Sequence, residues 1–358
     1  MAPWQPSWAI DRRLDSATNQ RFVEHYLQAI SMRRKAHEMG AIFGGRMPHP
    51  PTFMAGGITT LPSSAQIALF RQYLEEITAF ISDVYMPDVE ALAHVYPDYY
   101  EIGAGPGRLL AYGAFDLDAA GKRKLFRRGW IAGAASPVRA LNLKKITEQV
   151  GHSWYKNTRR PLNPASGRTD PQNPKAQAYS WLKAPRYRGE VHEVGALARM
   201  WINGDYRRGI SVMDRHRARA AEALKIAQAM RGWLSQVVPD GPVVTQANVP
   251  AAARSTGLTE APRGALGHWL KIAGGKISSY QVITPSCWNC SPRDSREQPG
   301  ALEQALVGTP VEDPAQPLEV LRVLHSFDPC LDCAVHVMKP RAGSENVVYA
   351  PLAACQRG

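Results

Sequence analysis

The first part of the chain carries apolar positions at helical spacing. They recur every three or four residues at Phe22, Val23, Tyr26, Leu27 and Ile30. Asp15 or Ser16 is a suitable N-cap for this pattern, and Gly40 is a suitable C-cap. The spacing therefore predicts a helix that begins near Ser16 and ends at Gly40.

Two further helices follow from the same periodicity. One opens at "SSAQ" (63–66), and Pro87 is expected to interrupt it because proline has no backbone N–H to donate. The other covers 211–237. Between the first two helices, residues 41–62 are too rich in glycine and proline for regular structure, and 157–177 has the polar composition of a surface loop.

Residues 264–284 change to an alternating pattern. Two alternating runs flank Gly274 and Gly275, which predicts a β-hairpin with a glycine turn. Short helical patterns follow in "PGALEQALVG" and "PLEVLRVLHSFD", and the second leads the chain to Cys330. The predicted fold class is mainly α with a small antiparallel β element, an α+β arrangement.

Composition indicates a globular chain. Its 358 residues are 44% hydrophobic and 21% charged, enough to bury a core in one large or two moderate domains. The longest apolar runs are far shorter than the roughly 20 residues that span a bilayer. The first residues, "MAPWQPSWAIDRR", have neither the basic nor the apolar region of a secretory signal. We therefore expect no direct membrane insertion and synthesis in the cytoplasm without a signal of its own.

The formal charge of +12 leaves two interpretations of the basic stretches "RRLDSATNQR", "GKRKLFRRGW" and "RHRARAAEALK". Each stretch is helix-like, with its charges spread around apolar positions. They are interpreted as solvated helix faces or as a docking surface for an acidic partner. Nucleic-acid binding is not expected, since the charges lack the clustering with aromatic residues that such binding uses.

The five cysteines suggest metal or redox chemistry. They form the pairs "CWNC" (287–290) and "CLDC" (330–333), with Cys355 left over, and an odd number without a secretory signal argues against a disulfide framework. Two such pairs fit a tetrahedral zinc or iron-sulfur site. Soft thiolate ligands restrict the metal to nickel, copper, zinc or iron without choosing among them.

The sequence around the second cysteine pair resembles a known family. "SFDPCLDCAVH" is similar to the C-terminal segment of nickel-iron hydrogenase large subunits, whose hallmark is Asp-Pro-Cys-x-x-Cys-x-x-His. "HEMGAIFGGRMPHP", "EAPRGALGHWLKI" and "TPSCWNCSPRD" extend the similarity in the same order along the chain. The resemblance implies the helical-bundle core of that fold and the reversible oxidation of H2 to protons and electrons.

The resemblance also implies roles for individual residues. Cys330 would be a terminal thiolate on nickel, and Cys333 would bridge nickel to an iron that carries cyanide and carbon monoxide. Arg263 would hold its guanidinium over the open metal position, where a planar and permanently charged group suits H2 polarisation better than a lysine. Asp328 would orient that arginine. The alternative for Asp328 is a cap at the end of a helix.

Three further residues are implied in the same way. Pro262 and Ser286 would line the pocket of the diatomic ligands. His336 would become the mature C-terminus and help to hold a magnesium-type ion. A maturation endopeptidase would cut after this histidine once nickel-insertion proteins have acted. Residues 1–336 would then form a single, incomplete domain, and 337–358 a removable extension of an unprocessed precursor.

The sequence also departs from the family's pattern. Neither the N-terminal Arg-x-Cys-Gly-x-Cys motif nor the Arg-Gly-x-Glu segment occurs in it. We therefore expect the C-terminal part of an uptake-type large subunit, which needs an N-terminal large-subunit segment and an iron-sulfur small subunit as partners. The mature complex would be membrane-associated or periplasmic through the small subunit.

Two alternatives remain open at the level of the sequence. The chain could be a non-catalytic interaction protein that holds zinc with Cys287, Cys290, Cys330 and Cys333. Within the hydrogenase interpretation, Cys287 and Cys290 could replace the missing ligands, act as a redox-active thiol pair, or pack as small apolar residues.

Overall fold

The computed structural model describes residues 11–330 and, for their backbone alone, 336–340 and 347–351. Its α-helices are α1 Ser16–Gly44, α2 Ser64–Phe80, α3 Met86–Val95, α4 Ala196–Asn203, α5 Val212–Leu234, α6 Pro285–Asn289, α7 Ala301–Leu306 and α8 Leu318–Ser326. Its strands are β1 Phe53–Met54, β2 Gly57–Ile58, β3 Leu109–Ala111, β4 Ala114–Asp116, β5 Lys124–Phe126, β6 Gly129–Ile131, β7 Ile146–Gln149, β8 Ala184–Tyr187, β9 Ala252–Ala261, β10 Gly264–Ala273, β11 Lys276–Ile283, β12 His336–Pro340 and β13 Val347–Pro351. The predicted α+β fold class is confirmed.

Helix α1 begins where the sequence predicted, at an Asp15 N-cap whose carboxylate accepts a hydrogen bond from the Thr18 N–H at 2.9 Å. The predicted end at Gly40 is wrong. The helix continues to Gly44, because Gly45 adopts a φ of 76° and its N–H closes the last turn on the Ala41 carbonyl. Gly45, whose φ is positive, therefore caps this helix, and Gly40 lies inside it.

Pro87 does not end the second helix. A π-helical segment, Ile81–Tyr85, follows α2, and the chain enters α3 at Met86 without leaving the helical conformation. Pro87 then lies in the first turn of α3, where the absence of a backbone N–H costs little hydrogen bonding. The expected interruption is thus replaced by a change of hydrogen-bond register ahead of the proline.

Helices α1, α2 and α5 pack around one apolar cluster. Its buried members include Met39 of α1, Phe70 and Leu74 of α2, and Ala227 of α5. The predicted helix at 211–237 is confirmed as α5, which begins at a Ser211 N-cap. Further clusters connect α5 to α4, α7 and α8, so this helix is the central support of the part of the chain that carries the site.

An antiparallel sheet of three strands, in the order β11–β10–β9, contacts α4 and α6 through its central strand. Its β10–β11 hairpin turns at Gly274 and Gly275, both with positive φ, as the sequence predicted. Strand β9 was not predicted. It pairs with β10 along its whole length, and Pro262 and Arg263 form the two-residue turn between them.

None of the helices within the described ranges combines the length and the apolar character needed to cross a bilayer.

Candidate active site

The turn that carries Arg263 is held tightly against a neighbouring segment. Ala261 pairs with Gly264 across the β9–β10 turn, and Gly264 has a φ of +134°. A Cβ atom on Gly264 would lie 2.5 Å from the Val194 Cγ2 and 2.7 Å from the Gly195 nitrogen. Only a glycine allows this close approach. The turn therefore rests directly on the backbone that leads into α4.

Asp328 reaches the same place from helix α8. Helix α8 ends at Ser326, and Asp328 adopts a left-handed φ of 50° while its N–H donates to the His325 carbonyl at 3.0 Å. Aspartate tolerates this conformation better than most residues. The turn brings the Asp328 Oδ1 to 3.6 Å from the Arg263 Nη2. Asp328 thus combines the helix-end position with the partnership to Arg263 that the resemblance implied.

Three of the predicted site residues, Pro262, Arg263 and Asp328, line one small cleft. The other residues that line it are Glu193, Val194, Gly195, Ala196, Leu197, Arg215, Arg219, Ser326 and Phe327. The side chains of Arg263 and Asp328 are 36% and 41% exposed, so their ion pair contributes at most about 1 kcal/mol to stability. The pair is better explained by chemistry in the cleft than by stability.

The Arg263 guanidinium keeps one donor unused. Its Nε is buried and has no hydrogen-bond partner among the described residues. A buried donor without an acceptor is costly, typically about 1–3 kcal/mol. A small anionic acceptor in the cleft would satisfy it.

Arg199 fixes the position of the turn from below. Its Nε and Nη2 donate to the two carboxylate oxygens of Glu222 at 2.5 and 2.7 Å, and its Nη1 donates to the Glu260 Oε2 at 3.0 Å. The same guanidinium donates to the backbone carbonyls of Ala261 at 3.0 Å and Pro262 at 2.8 Å. All hydrogen-bonding nitrogens of one arginine are therefore used to hold α4, α5 and the turn together.

This network is buried: the side chains of Arg199, Glu222 and Glu260 are 4%, 7% and 2% exposed. Burial opposes the charge on Arg199, but its hydrogen bonds and charge interactions with the two glutamates outweigh burial and raise its pKa. Burial also raises the pKa of Glu260, although Arg199 acts in the opposite direction. The arginine is thus charged under all ordinary conditions.

A second buried ion pair lines the cleft. Arg215 of α5 donates to both carboxylate oxygens of Glu193 at 2.8 Å and lies with its guanidinium carbon 3.8 Å from the centre of the Phe327 ring. Both side chains of the pair are 2% exposed. The interpretation of the "RHRARAAEALK" stretch as a solvated face is therefore wrong for Arg215, because this arginine faces the core and the end of α8.

Neither the Arg199 network nor the Arg215–Glu193 pair was predicted from the sequence. Arg199 stands inside the apolar helix sequence "ALARMWI" and was not singled out, although a charged residue at a core-facing position usually has a buried partner. Nothing along the chain identifies Glu222 and Glu260 as its partners, since they belong to distant elements. Glu193 likewise could be identified as the partner of Arg215 only from the structure.

The remaining predicted site residues are not all brought together. Ser286 is buried in α6, and neither it nor Cys330 lines the cleft in the described part of the chain. Cys330 is a partly buried, reduced thiol two residues beyond Asp328. Cys333 lies outside the described residues, and of His336 only the backbone, at the start of β12, is described. Within those limits, no three His, Cys, Asp or Glu side chains are grouped as metal ligands.

Comparison with known proteins places this architecture in a family. The profile of the nickel-dependent hydrogenases matches residues 3–209 and 202–336. The chain belongs to this family, whose members are oxidoreductases that act on H2. It is 37% identical to the periplasmic [NiFeSe] hydrogenase large subunit of Desulfomicrobium baculatum, over 97% of this chain and 74% of that protein.

Other relatives agree. The uptake hydrogenase large subunit of Bradyrhizobium diazoefficiens is 35% identical over 92% of this chain and 66% of its own length. The solved structure of the H2-activated D. baculatum [NiFeSe]-hydrogenase has a TM-score of 0.88 and 37% identity, and the match covers 94% of this chain and 75% of that one. The chain thus spans between two thirds and three quarters of the length of these relatives.

Proposed function

We propose that this chain is the part of a nickel-iron hydrogenase large subunit that supplies Arg263, Asp328 and the thiolates of Cys330 and Cys333, and that it serves in the reversible oxidation of H2 to protons and electrons. The observation that carries the proposal is the buried Nε donor of Arg263, which has no acceptor among the described residues and lies in a cleft shared with Asp328. The family membership supports the same reaction.

The donor types in the motif suit the group that the family implies, because thiolates are soft ligands and an arginine is permanently charged. Cys330 and Cys333 would hold the nickel-iron centre, and Ser286 and Pro262 would face its cyanide and carbon monoxide ligands. His336 would help to hold a magnesium or similar divalent ion. A bound nickel-iron centre supplies a soft, electron-rich metal site with an open position at which H2 is split.

Arg263 contributes a fixed positive charge and directed donors to that position. Its backbone is held by the Gly264 contact and by the Arg199 network, so the guanidinium needs little rearrangement before it acts. Asp328 lies within ion-pair distance and limits the directions that the guanidinium can take. Arg263 would therefore supply a positive charge at the cleft, and Asp328 would orient its guanidinium. Groups on other segments would carry the protons away.

Further polypeptide is needed to complete such a site. The other two thiolates would come from a segment with Arg-x-Cys-Gly-x-Cys, and an iron-sulfur small subunit would accept the electrons. One face of α1 supports a large additional interface, because Tyr26, Leu27 and Ile30 lie on one side of the helix and are 47%, 53% and 50% exposed. By analogy with the periplasmic and uptake relatives, the small subunit would decide where the mature complex is located.

The proposal is tested by producing the chain alone and together with those two partners in a host that assembles nickel-iron centres. We expect the chain alone to be aggregation-prone and without H2-dependent dye reduction, since it offers two of four thiolates and exposes apolar surface. Co-production should restore solubility and activity together. An inactive, fully assembled and metal-loaded complex would contradict the proposal.

The segment 337–358 provides a further prediction about maturation. If it is a removable extension, the chain in the active complex should end at His336, because nickel insertion precedes the cut in this scheme. Intact-mass spectrometry of the purified, active complex measures this directly. Active enzyme that retains the full C-terminus would show that the segment is a permanent part of the protein.

A further inference from the structure

The first CxxC pair has no role in the proposed reaction, although it lies in a short helix with defined ends. Cys287 lies in helix α6 and Cys290 is the residue that caps it. The Cys290 N–H donates to the Ser286 carbonyl at 2.8 Å, so the backbone between the two cysteines forms one closed helical turn. Both are reduced thiols and both are partly buried. We propose that Cys287 and Cys290 form a reversible disulfide, and that this dithiol is a site of redox modification.

The helical turn sets a suitable spacing between the Cα atoms of the two cysteines. Residues three apart in a helix have Cα atoms about 5 Å apart, from a rise of 1.5 Å and a rotation of 100° per residue. Disulfides form where this separation is roughly 4.4–6.8 Å. The bond therefore needs rotation about the side-chain torsions and little displacement of the backbone.

The turn is fixed from both sides. The Thr284 side chain accepts a hydrogen bond from the Cys287 N–H, and Pro285 begins the helix with its own fixed φ. Between the cysteines, Trp288 and Asn289 are 1% and 4% exposed. The two thiols are thus held on a rigid support whose buried face anchors it in the core. This restraint raises the effective concentration of one thiol at the other.

The support also contacts the wall of the cleft. The Asn289 side-chain oxygen accepts from the Val194 N–H at 3.0 Å, and its amide donates to the Val194 carbonyl at 2.9 Å. Val194 and Gly195 are the residues on which the Arg263 turn rests. Asn289, between the two cysteines, therefore contacts the same backbone that positions the Arg263 turn.

The reaction balances as a thiol–disulfide exchange with a low-molecular-weight disulfide such as oxidised glutathione. One cysteine thiolate attacks a sulfur of glutathione disulfide, the S–S bond of glutathione breaks, and a glutathione thiolate leaves and takes up a proton. The second cysteine then attacks the mixed disulfide and releases the other glutathione. The pair loses two electrons and two protons, and one glutathione disulfide becomes two glutathione molecules.

The experiment titrates the assembled protein with mixtures of reduced and oxidised glutathione, blocks the remaining thiols by alkylation, and maps them by mass spectrometry after trypsin digestion. The fragment 277–293 contains Cys287 and Cys290 and no other cysteine, whereas Cys330 and Cys333 lie together in a different fragment. As oxidant increases, we expect this fragment to lose two hydrogens and both alkylation sites, and dithiothreitol should restore them.

Two comparisons make the result decisive. The disulfide should form at a glutathione-disulfide fraction about tenfold lower in the folded protein than in the same protein in urea, because only the folded helix holds the thiols together. Cys287→Ser and Cys290→Ser should each abolish the bond. Equal titrations in the folded and unfolded protein, a 277–293 fragment that stays alkylated throughout, or a bridge from it to the Cys330 fragment would each overturn the proposal.

Discussion

Arg263→Lys is expected to lower H2 turnover by a factor of about 100 or more, on the scale of losing one preorganised electrostatic group, in an enzyme that keeps its nickel and iron. Lysine retains the charge of arginine but replaces a planar group with several directed donors by a single ammonium on a flexible stem. It has no counterpart of the buried Nε–H, and it cannot present that donor while also facing Asp328. The loss should therefore appear in turnover and not in metal content.

The matched control is Arg254→Lys, which makes the same substitution at an exposed position of β9, the strand that leads into the Arg263 turn. It should leave turnover unchanged. Metal analysis and H2-dependent dye reduction are measured on both complexes. If the Arg263→Lys complex is fully loaded with metal and turns over as fast as the control, Arg263 has no catalytic role and the cleft does not form part of the active site.

Arg199→Met is expected to destabilise the protein by about 3–5 kcal/mol, the usual cost of removing one partner from a buried ion pair. The substitution leaves the carboxylates of Glu222 and Glu260 without their cation, and it also removes both hydrogen bonds to the carbonyls of Ala261 and Pro262. Unfolding of the co-produced complex in urea, followed by fluorescence, measures the change.

Arg217→Met provides the comparison. Arg217 also lies on α5 and also forms a bidentate pair, with Glu90, but Glu90 is 54% exposed and can be rehydrated when its partner is removed. We expect this substitution to cost no more than about 1 kcal/mol. Equal effects of the two substitutions would mean that the Arg199 network does not secure the turn that carries Arg263.

The features that the sequence predicted best depend on neighbours along the chain. The α5 helix and the turn at Gly274 and Gly275 were predicted correctly, because hydrophobic spacing and glycine turns act over a few residues. The end of α1 was placed too early, since Gly40 and Gly45 are equally plausible caps until packing decides between them. Strand β9 was missed because most of it is exposed and its sequence has little apolar alternation.

The candidate site was also predicted only in part. The sequence motifs singled out Pro262, Arg263 and Asp328, and the structure brings these three together in one cleft. The motifs could not reveal that Arg199 supports the turn. The partners of a buried charge come from elements far apart in sequence, and only tertiary packing brings them within hydrogen-bonding distance. The chemical roles of all these site residues stay predictions, including those of Ser286, Cys330, Cys333 and His336.

The most direct test of the central claim is the metal content of the co-produced, purified complex, measured for the unaltered chain and for Cys330→Ser. We predict nickel and iron together in the unaltered complex, with infrared bands of iron-bound cyanide and carbon monoxide, and no nickel in the Cys330→Ser complex. Hydroxyl oxygen is a hard and poor replacement for a soft thiolate. Zinc in place of nickel in the unaltered complex, or full nickel retention in Cys330→Ser, would contradict the account.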